Sequence, residues 1–168
     1  MIVANHFNGS VGSVLDLGCG TGLAGAELRR FCSNLEGLDL SKLMIEEARK
    51  KNIYDRLTHS DIFDYLATEV LDFNHFIATD VFIYLGEVSD LFHLIKSRNQ
   101  RNGSLSFSTE HTEKPGFTLE TTGRFSHSKT YIEGLCKTFD FRISRFEKTN
   151  LRKEKGEFIK GALYLLDF

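Results

Sequence analysis

The sequence predicts an α/β fold: an open sheet of about seven strands, mostly parallel, with helices on both faces and an antiparallel C-terminal hairpin. Three observations predict it. Short apolar runs alternate with segments of helical period along most of the chain. Four of those runs close on an aspartate, at Asp16, Asp39, Asp61 and Asp80. The last two β-type runs, Phe141 to Thr149 and Phe158 to Phe168, flank the turn signal Lys155-Gly156. With 168 residues and 41% hydrophobic content, residues 1–168 are expected to form one domain with a substantial core.

The first element is the most informative. Val14-Leu15-Asp16-Leu17 reads as a short buried strand, and the loop Gly18-Cys19-Gly20-Thr21-Gly22 that follows has glycine at every second position. These glycines permit positive φ angles and let a ligand lie against the backbone. A helix expected over Leu23 to Phe31 would aim its free N–H groups at that ligand. Gly20 to Gly25 also spells GxGxxG, with Asp39 downstream, as a dinucleotide site would. Two details argue against NAD. Gly18 and Cys19 intervene between the strand and that pattern, and Asp16 has no Lys or Arg nearby in sequence. A carboxylate repels a pyrophosphate but attracts a sulfonium and an ammonium group. S-adenosyl-L-methionine carries both cations and no phosphate.

The later elements agree. Leu35 to Asp39 reads as a second strand, whose terminal Asp39 is suited to accept from both ribose hydroxyls. Ser41 is a natural N-cap for a helix from Lys42 to Lys51. Leu57 to Ile62 is a short strand closing on Asp61, which is placed to accept from an adenine amino group or simply to cap a helix from Ile62 to Thr68. His75 to Phe82 closes on Asp80 in the same way. A helix from Glu87 to Asn99 carries Val88, Leu91, Phe92 and Ile95 on one stripe. Arg101-Asn102-Gly103 turns into a strand from Ser104 to Thr109. The stretch from His111 to Phe125, with Pro115, Gly116 and Gly123, is expected to be the longest irregular piece. Ser126 or Ser128 starts a helix reaching Phe139, and Met1 to Asn8 reads as the tail of a helix ended by Gly9.

The wording VLDLGCGTGLAG, GLDLSKLMIEEARKK, TDVFIYLG, GRFSHSKTYI and LRKEKGEFIKGALYLL resembles the class I S-adenosylmethionine-dependent methyltransferases. It is similar more narrowly to bacterial methyltransferase domains found behind tetratricopeptide repeats, and more loosely to ubiquinone-pathway O-methyltransferases. The resemblance implies a Rossmann-like sheet and a set of cofactor contacts. Asp16, Gly18, Gly20 and Gly22 would take the amino-acid end, Asp39 the ribose, and Asp61 with Ile62 the adenine. Cys19 and Leu40 complete the set, and Asp80 would sit near the transferable methyl. Relatives usually carry helices ahead of the first strand. Only 13 residues precede Val14, so that N-terminal cover is expected to be largely absent.

Methyl transfer is an in-line displacement, helped mostly by positioning, with a base needed where the acceptor must lose a proton. His127, His111 and Asp80 are the candidate bases. Tyr84, Arg124 and Arg152 are candidates for holding the acceptor. The segment from Arg142 to Lys160 has seven basic and three acidic residues, which suits either a carboxylate or phosphate on the acceptor or a solvated hairpin that guards an edge strand. No Asp-Pro-Pro-Tyr motif of base-amino methylation follows Thr79, and no cysteine stands in the Pro-Cys setting of pyrimidine C5 methylation. The net charge of −2 gives no pull toward nucleic acid or an anionic membrane. Cys19, Cys32 and Cys136 form no paired motif and no metal spacing, which points to a reducing cytoplasm and no metal. The expected activity is S-adenosylmethionine-dependent methylation of a small-molecule acceptor, with oxygen suggested by the resemblance alone. The rival readings are a cofactor-binding remnant of weak or no activity and, less favoured, an NAD-binding oxidoreductase.

Overall fold

The computed structural model describes residues 10–154 and 156–168, without the side chains of 152–154 and 157. The helix tail expected over Met1 to Asn8 lies outside the described residues. Five strands run parallel in the order β3-β2-β1-β4-β5: β1 (Gly12–Leu17), β2 (Cys32–Asp39), β3 (Arg56–His59), β4 (His75–Ala78) and β5 (Ser104–His111). A long C-terminal hairpin extends the sheet. Its strand β9 (Glu157–Asp167) lies antiparallel along β5, and β8 (Arg142–Glu154) lies antiparallel along β9, so β8 points the same way as β5. Beyond the end of β4, β7 (Phe125–His127) pairs with the last residues of β5, and β6 (Phe117–Leu119) pairs antiparallel with β7.

Among the described residues that makes nine strands, two more than the roughly seven expected. The two additions come from the stretch expected to be irregular. Gly123, at φ 77°, donates its N–H to the Glu120 carbonyl and closes a tight turn, and the ring of Phe117 meets those of Phe125 and Tyr131. Aromatic contacts supply what three-residue strands lack in length.

Helices α1 (Leu23–Leu28) and α2 (Lys42–Lys50) cover one face; α3 (Ile62–Thr68), α4 (Ser89–Arg98) and α5 (Lys129–Phe139) cover the other. The pleat sorts the side chains accordingly. Leu15 and Leu17 enter the large core with Phe76, Phe92, Phe107 and Tyr164, while Val14 joins Leu28, Leu35 and Ile77 beneath α1. Phe107 is stacked between Phe82 and Tyr164 at ring-centre distances of 4.4 and 4.9 Å.

Several boundaries differ from expectation. The first helix is α-helical only to Leu28 and tightens into a 3-10 turn over Arg29–Phe31. The strand from His75 stops at Ala78, because Asp80 takes a left-handed φ of 56° and Phe82–Tyr84 form a 3-10 turn. Ser128, not Ser126, caps α5, its hydroxyl accepting from the Tyr131 N–H at 3.1 Å. Among the described residues no helix is long and apolar enough to cross a membrane, and no cluster of His, Cys, Asp and Glu is placed to hold a metal.

Candidate functional site

Strand order reverses between the parallel neighbours β1 and β4, where connections leave to opposite faces, and ligands of open α/β sheets sit at the carboxyl ends of strands at such a point. The glycine loop occupies that point. Gly18, Gly20 and Gly22 all have positive φ, at 66°, 54° and 83°. A Cβ on Gly18 would stand 2.6 Å from a Val81 methyl, whereas one on Gly20 would meet nothing within 4 Å. Gly18 therefore lets the loop pack down, and Gly20 leaves open backbone for a ligand. The Gly20 N–H donates to Asp39 Oδ2 at 2.9 Å and the Ser41 N–H donates to Oδ1 at 2.8 Å. Two backbone donors thus fix the carboxylate that ends β2, and each oxygen keeps a lone pair for a further donor.

A cleft of about 270 Å³ opens beside this loop. Seven sequence-selected residues line it together: Gly18, Asp39, Leu40, Asp61, Ile62, Asp80 and Tyr84. Phe63, Val81 and Leu85, which the sequence reading passed over, complete the wall. Asp61 caps α3, with Oδ1 accepting from the N–H groups of Phe63 and Asp64 at 2.7 and 3.3 Å, so its local role coexists with its place in the cleft. Asp80 is exposed, and its strained backbone is anchored by its N–H donating to the Ser108 hydroxyl at 2.9 Å. Three carboxylates and no lysine or arginine line the cleft among the described residues. Such a wall repels phosphates and favours a cationic ligand.

Asp16 lies apart from this wall. It is fully buried, its Oδ2 accepts from the Tyr54 hydroxyl at 2.7 Å, and its Oδ1 has no hydrogen-bond partner. Burial pushes its carboxyl up to about 7; the Tyr54 hydrogen bond opposes that rise and the nearby Asp39 charge adds to it. Cys19 is buried against Ile45 and Ala48, and burial, with the charges of Asp16 and Asp39, pushes its thiol up to about 12. It packs as a small apolar residue and remains protonated at neutral pH.

The sequence matches a family model described as a methyltransferase domain over residues 14–103, more than half of the chain. The chain belongs to that family. Its fold is the Rossmann-like one of class I S-adenosylmethionine-dependent methyltransferases. Magnesium protoporphyrin IX methyltransferase from Synechocystis, solved with bound S-adenosylmethionine, superposes with a TM-score of 0.71 at 20% identity, over 99% of this chain and 74% of that one. A S-adenosylmethionine-dependent methyltransferase from Methanosarcina mazei gives 0.74 at 13% identity, covering 99% and 96%. One from Clostridium acetobutylicum gives 0.73 at 19%, covering 99% and 88%. Among curated proteins none matches the chain.

The methyltransferase's two candidate histidines stand outside this cleft. His127, on β7, is completely buried; its Nε2 lies 2.9 Å from the Gly86 carbonyl, its Nδ1 has no partner, and burial holds its ionisation below the ordinary imidazole value. His111 ends β5 and lines a second cleft with Glu113, Lys148 and Lys160, its Nε2 3.2 Å from Glu113. Arg124 is half-buried in the β6–β7 turn and is not without an interaction partner. Arg152 pairs with Ile159 through the backbone of β8, and its side chain lies outside the described residues.

Tyr54 is the contact that sequence reading missed. Its signal was present in Gly25 inside α1 and Gly37 inside β2, since a glycine within a regular element often marks a close approach of other atoms.

Proposed function

We propose that this chain transfers the methyl group of S-adenosylmethionine to a small-molecule acceptor, oxygen being the accepting atom. The observation that carries the reading is the cleft at the strand ends, with three carboxylates and no cation among its described lining residues. In this reading Asp39 accepts from the ribose hydroxyls, Asp61 and Ile62 hold the adenine, and Gly18, Cys19, Gly20 and Gly22 carry the amino-acid end along their backbone. Leu40 covers the ribose side, and Asp16 meets the ammonium group. When bound, the cofactor supplies an electrophilic methyl on a sulfonium. The chain's own work is to hold that carbon in line with the acceptor. Where the acceptor must lose a proton, Asp80 is the assigned base, because it lines the cleft and the two histidines do not. Tyr84, exposed beside it, contacts the acceptor, and Arg124 and Arg152 are assigned to an anionic group on it.

The reading takes the chain as one domain in a reducing cytoplasm, in keeping with its three free cysteines. The likeness to domains found behind tetratricopeptide repeats bears on lineage and selects no acceptor. Titration with S-adenosylhomocysteine and with NADH, followed by acceptor screening with labelled S-adenosylmethionine, tests it. Binding of the first nucleoside alone and label transfer to a small hydroxyl compound are the expected results. Preference for NADH, or label found only on macromolecules, overturns the reading.

A further inference from the structure

Three glycines around the loop share a neighbour. A Cβ on Gly22 would stand 3.0 Å from Tyr54 Cε2, one on Gly37 would stand 2.8 Å from its Cε1, and one on Gly25 would overlap its hydroxyl. Gly25 lies within α1 and Gly37 within β2, positions where glycine costs an element stability. Together they open a slot through which Tyr54, in the segment ahead of β3, reaches beneath the glycine loop. At the end of the slot its hydroxyl donates to Asp16 Oδ2 at 2.7 Å, and the Gly25 amide acts on the same phenol oxygen. The third glycine of the GxGxxG pattern thus makes room for a phenol, with no dinucleotide needed to explain it.

A phenylalanine would fill the same slot, so the hydroxyl is the feature that needs a reason. The titratable groups acting on Asp16 are Tyr54, Asp39 at the end of β2, Cys19 in the loop and Cys32 at the start of β2. None of these is a cation. The buried carboxylate therefore has one hydrogen bond, one bare oxygen and no counter-ion among the described residues. A buried charge in that condition is costly unless a ligand completes it.

We propose that Tyr54 is a positioning residue of the cofactor site: its hydroxyl fixes the Asp16 carboxylate by Oδ2 and leaves Oδ1 to the ammonium of the bound cofactor. This rests on the assignment of Asp16 to the ammonium group given above. Cofactor affinity then falls as pH drops and Asp16 takes up a proton, and loss of the hydroxyl moves that fall to higher pH.

The experiment is calorimetric titration of S-adenosylhomocysteine between about pH 5.5 and 8.5 against the parent, Tyr54→Phe, Gly25→Ala and Asp16→Asn. Tyr54→Phe is expected to move the inflection upward by about one pH unit, with about fivefold weaker binding at pH 7 and near-parent binding at the alkaline end. Gly25→Ala, which crowds the hydroxyl while keeping Tyr54, is expected to move it the same way, and serves if Tyr54→Phe does not fold. Asp16→Asn is expected to weaken binding and flatten the pH profile. Inflections that stay in place in Tyr54→Phe and Gly25→Ala, while Asp16→Asn flattens the curve, overturn the role of Tyr54 alone. An Asp16→Asn profile that matches the parent's overturns the assignment of Asp16 itself, and the role of Tyr54 with it.

Discussion

Asp39 holds the glycine loop and the start of α2 together through two backbone N–H groups, one on each carboxylate oxygen. Asp39→Ala therefore removes both the proposed ribose contact and the tie that shapes the loop. Charge-assisted hydrogen bonds of this kind contribute about 1.5–3 kcal/mol, so S-adenosylhomocysteine affinity should fall at least tenfold by calorimetry. Unchanged affinity would remove Asp39 from the site. Asp16 makes a different prediction, because its proton is held in the folded chain. Between the ordinary carboxylate value of 3.8 and about 7, the folded state keeps a proton that the unfolded chain has released. Stability of the unliganded protein accordingly falls as pH rises through that window. Asp16→Asn should abolish this contribution, so that its stability relative to the parent increases by on the order of 1 kcal/mol or more between about pH 5 and 8 in denaturant titrations. His127 contributes with the opposite sign, since its depressed ionisation costs stability as pH falls, and it cancels in the comparison. Asp39 was legible because an acid closing an apolar run has few places to go. Tyr54 was not, because its partner Asp16 lies 38 positions away and nothing in Asn52-Ile53-Tyr54-Asp55 announces a buried hydroxyl.

At the scale of elements, the hairpin of β6 and β7 is the part least visible in the sequence. Its strands are three residues long, too short to show alternation, and its packing partner is the segment around Gly86. A Cβ on Gly86 would stand 2.8 Å from the Phe125 ring and 2.9 Å from that of Phe117. Gly86→Ala should lift the hairpin from that segment, costing roughly 1–3 kcal/mol by overpacking. Thermal unfolding would register the loss, while S-adenosylhomocysteine affinity should change by less than about threefold, since overpacking acts locally. Arg124 sits in the turn of the same hairpin, and Arg152 near the end of β8, which points the same way as β5. If either grips an anionic acceptor, Arg124→Ala or Arg152→Ala should raise its KM about tenfold and spare the cofactor, as loss of one charge-assisted pair would. Equal turnover of every acceptor by both variants would return these arginines to an ordinary solvated surface. The parallel strands and their helices were legible because the units after β2 and β3 repeat one pattern of apolar run, acid, cap and helix, and those after β1 and β4 keep its apolar run and acid. The cap at Ser41 appeared where that pattern puts it, with its hydroxyl accepting from the Met44 N–H.

At the scale of the whole molecule, the proposed cofactor cleft joins the ends of the parallel strands β1, β2, β3 and β4 across the point where strand order reverses. A ligand seated there bridges the two halves of the sheet and should stabilise the fold as a unit. Mass action sets the size: ligand at a hundred times its dissociation constant adds about 2.7 kcal/mol. For a chain of this length each kcal/mol moves the unfolding midpoint by roughly 2–4 °C, so saturating S-adenosylhomocysteine should raise it by about 5–10 °C. NADH at the same concentration should leave it unmoved, because its pyrophosphate would face Asp39, Asp61 and Asp80 with no described cation in the wall. The pH trend carries the sharper test. Above pH 7 the unliganded fold bears an ionised, half-satisfied Asp16, and the ligand's ammonium relieves it; below pH 7 the carboxyl is protonated and there is less to relieve. The ligand-induced rise should therefore be larger at pH 8 than at pH 6, although Asp16 makes the unliganded protein less stable at the higher pH. A rise of equal size at both, measured at the same multiple of an affinity fixed at pH 7, would mean that Asp16 does not feel the ligand.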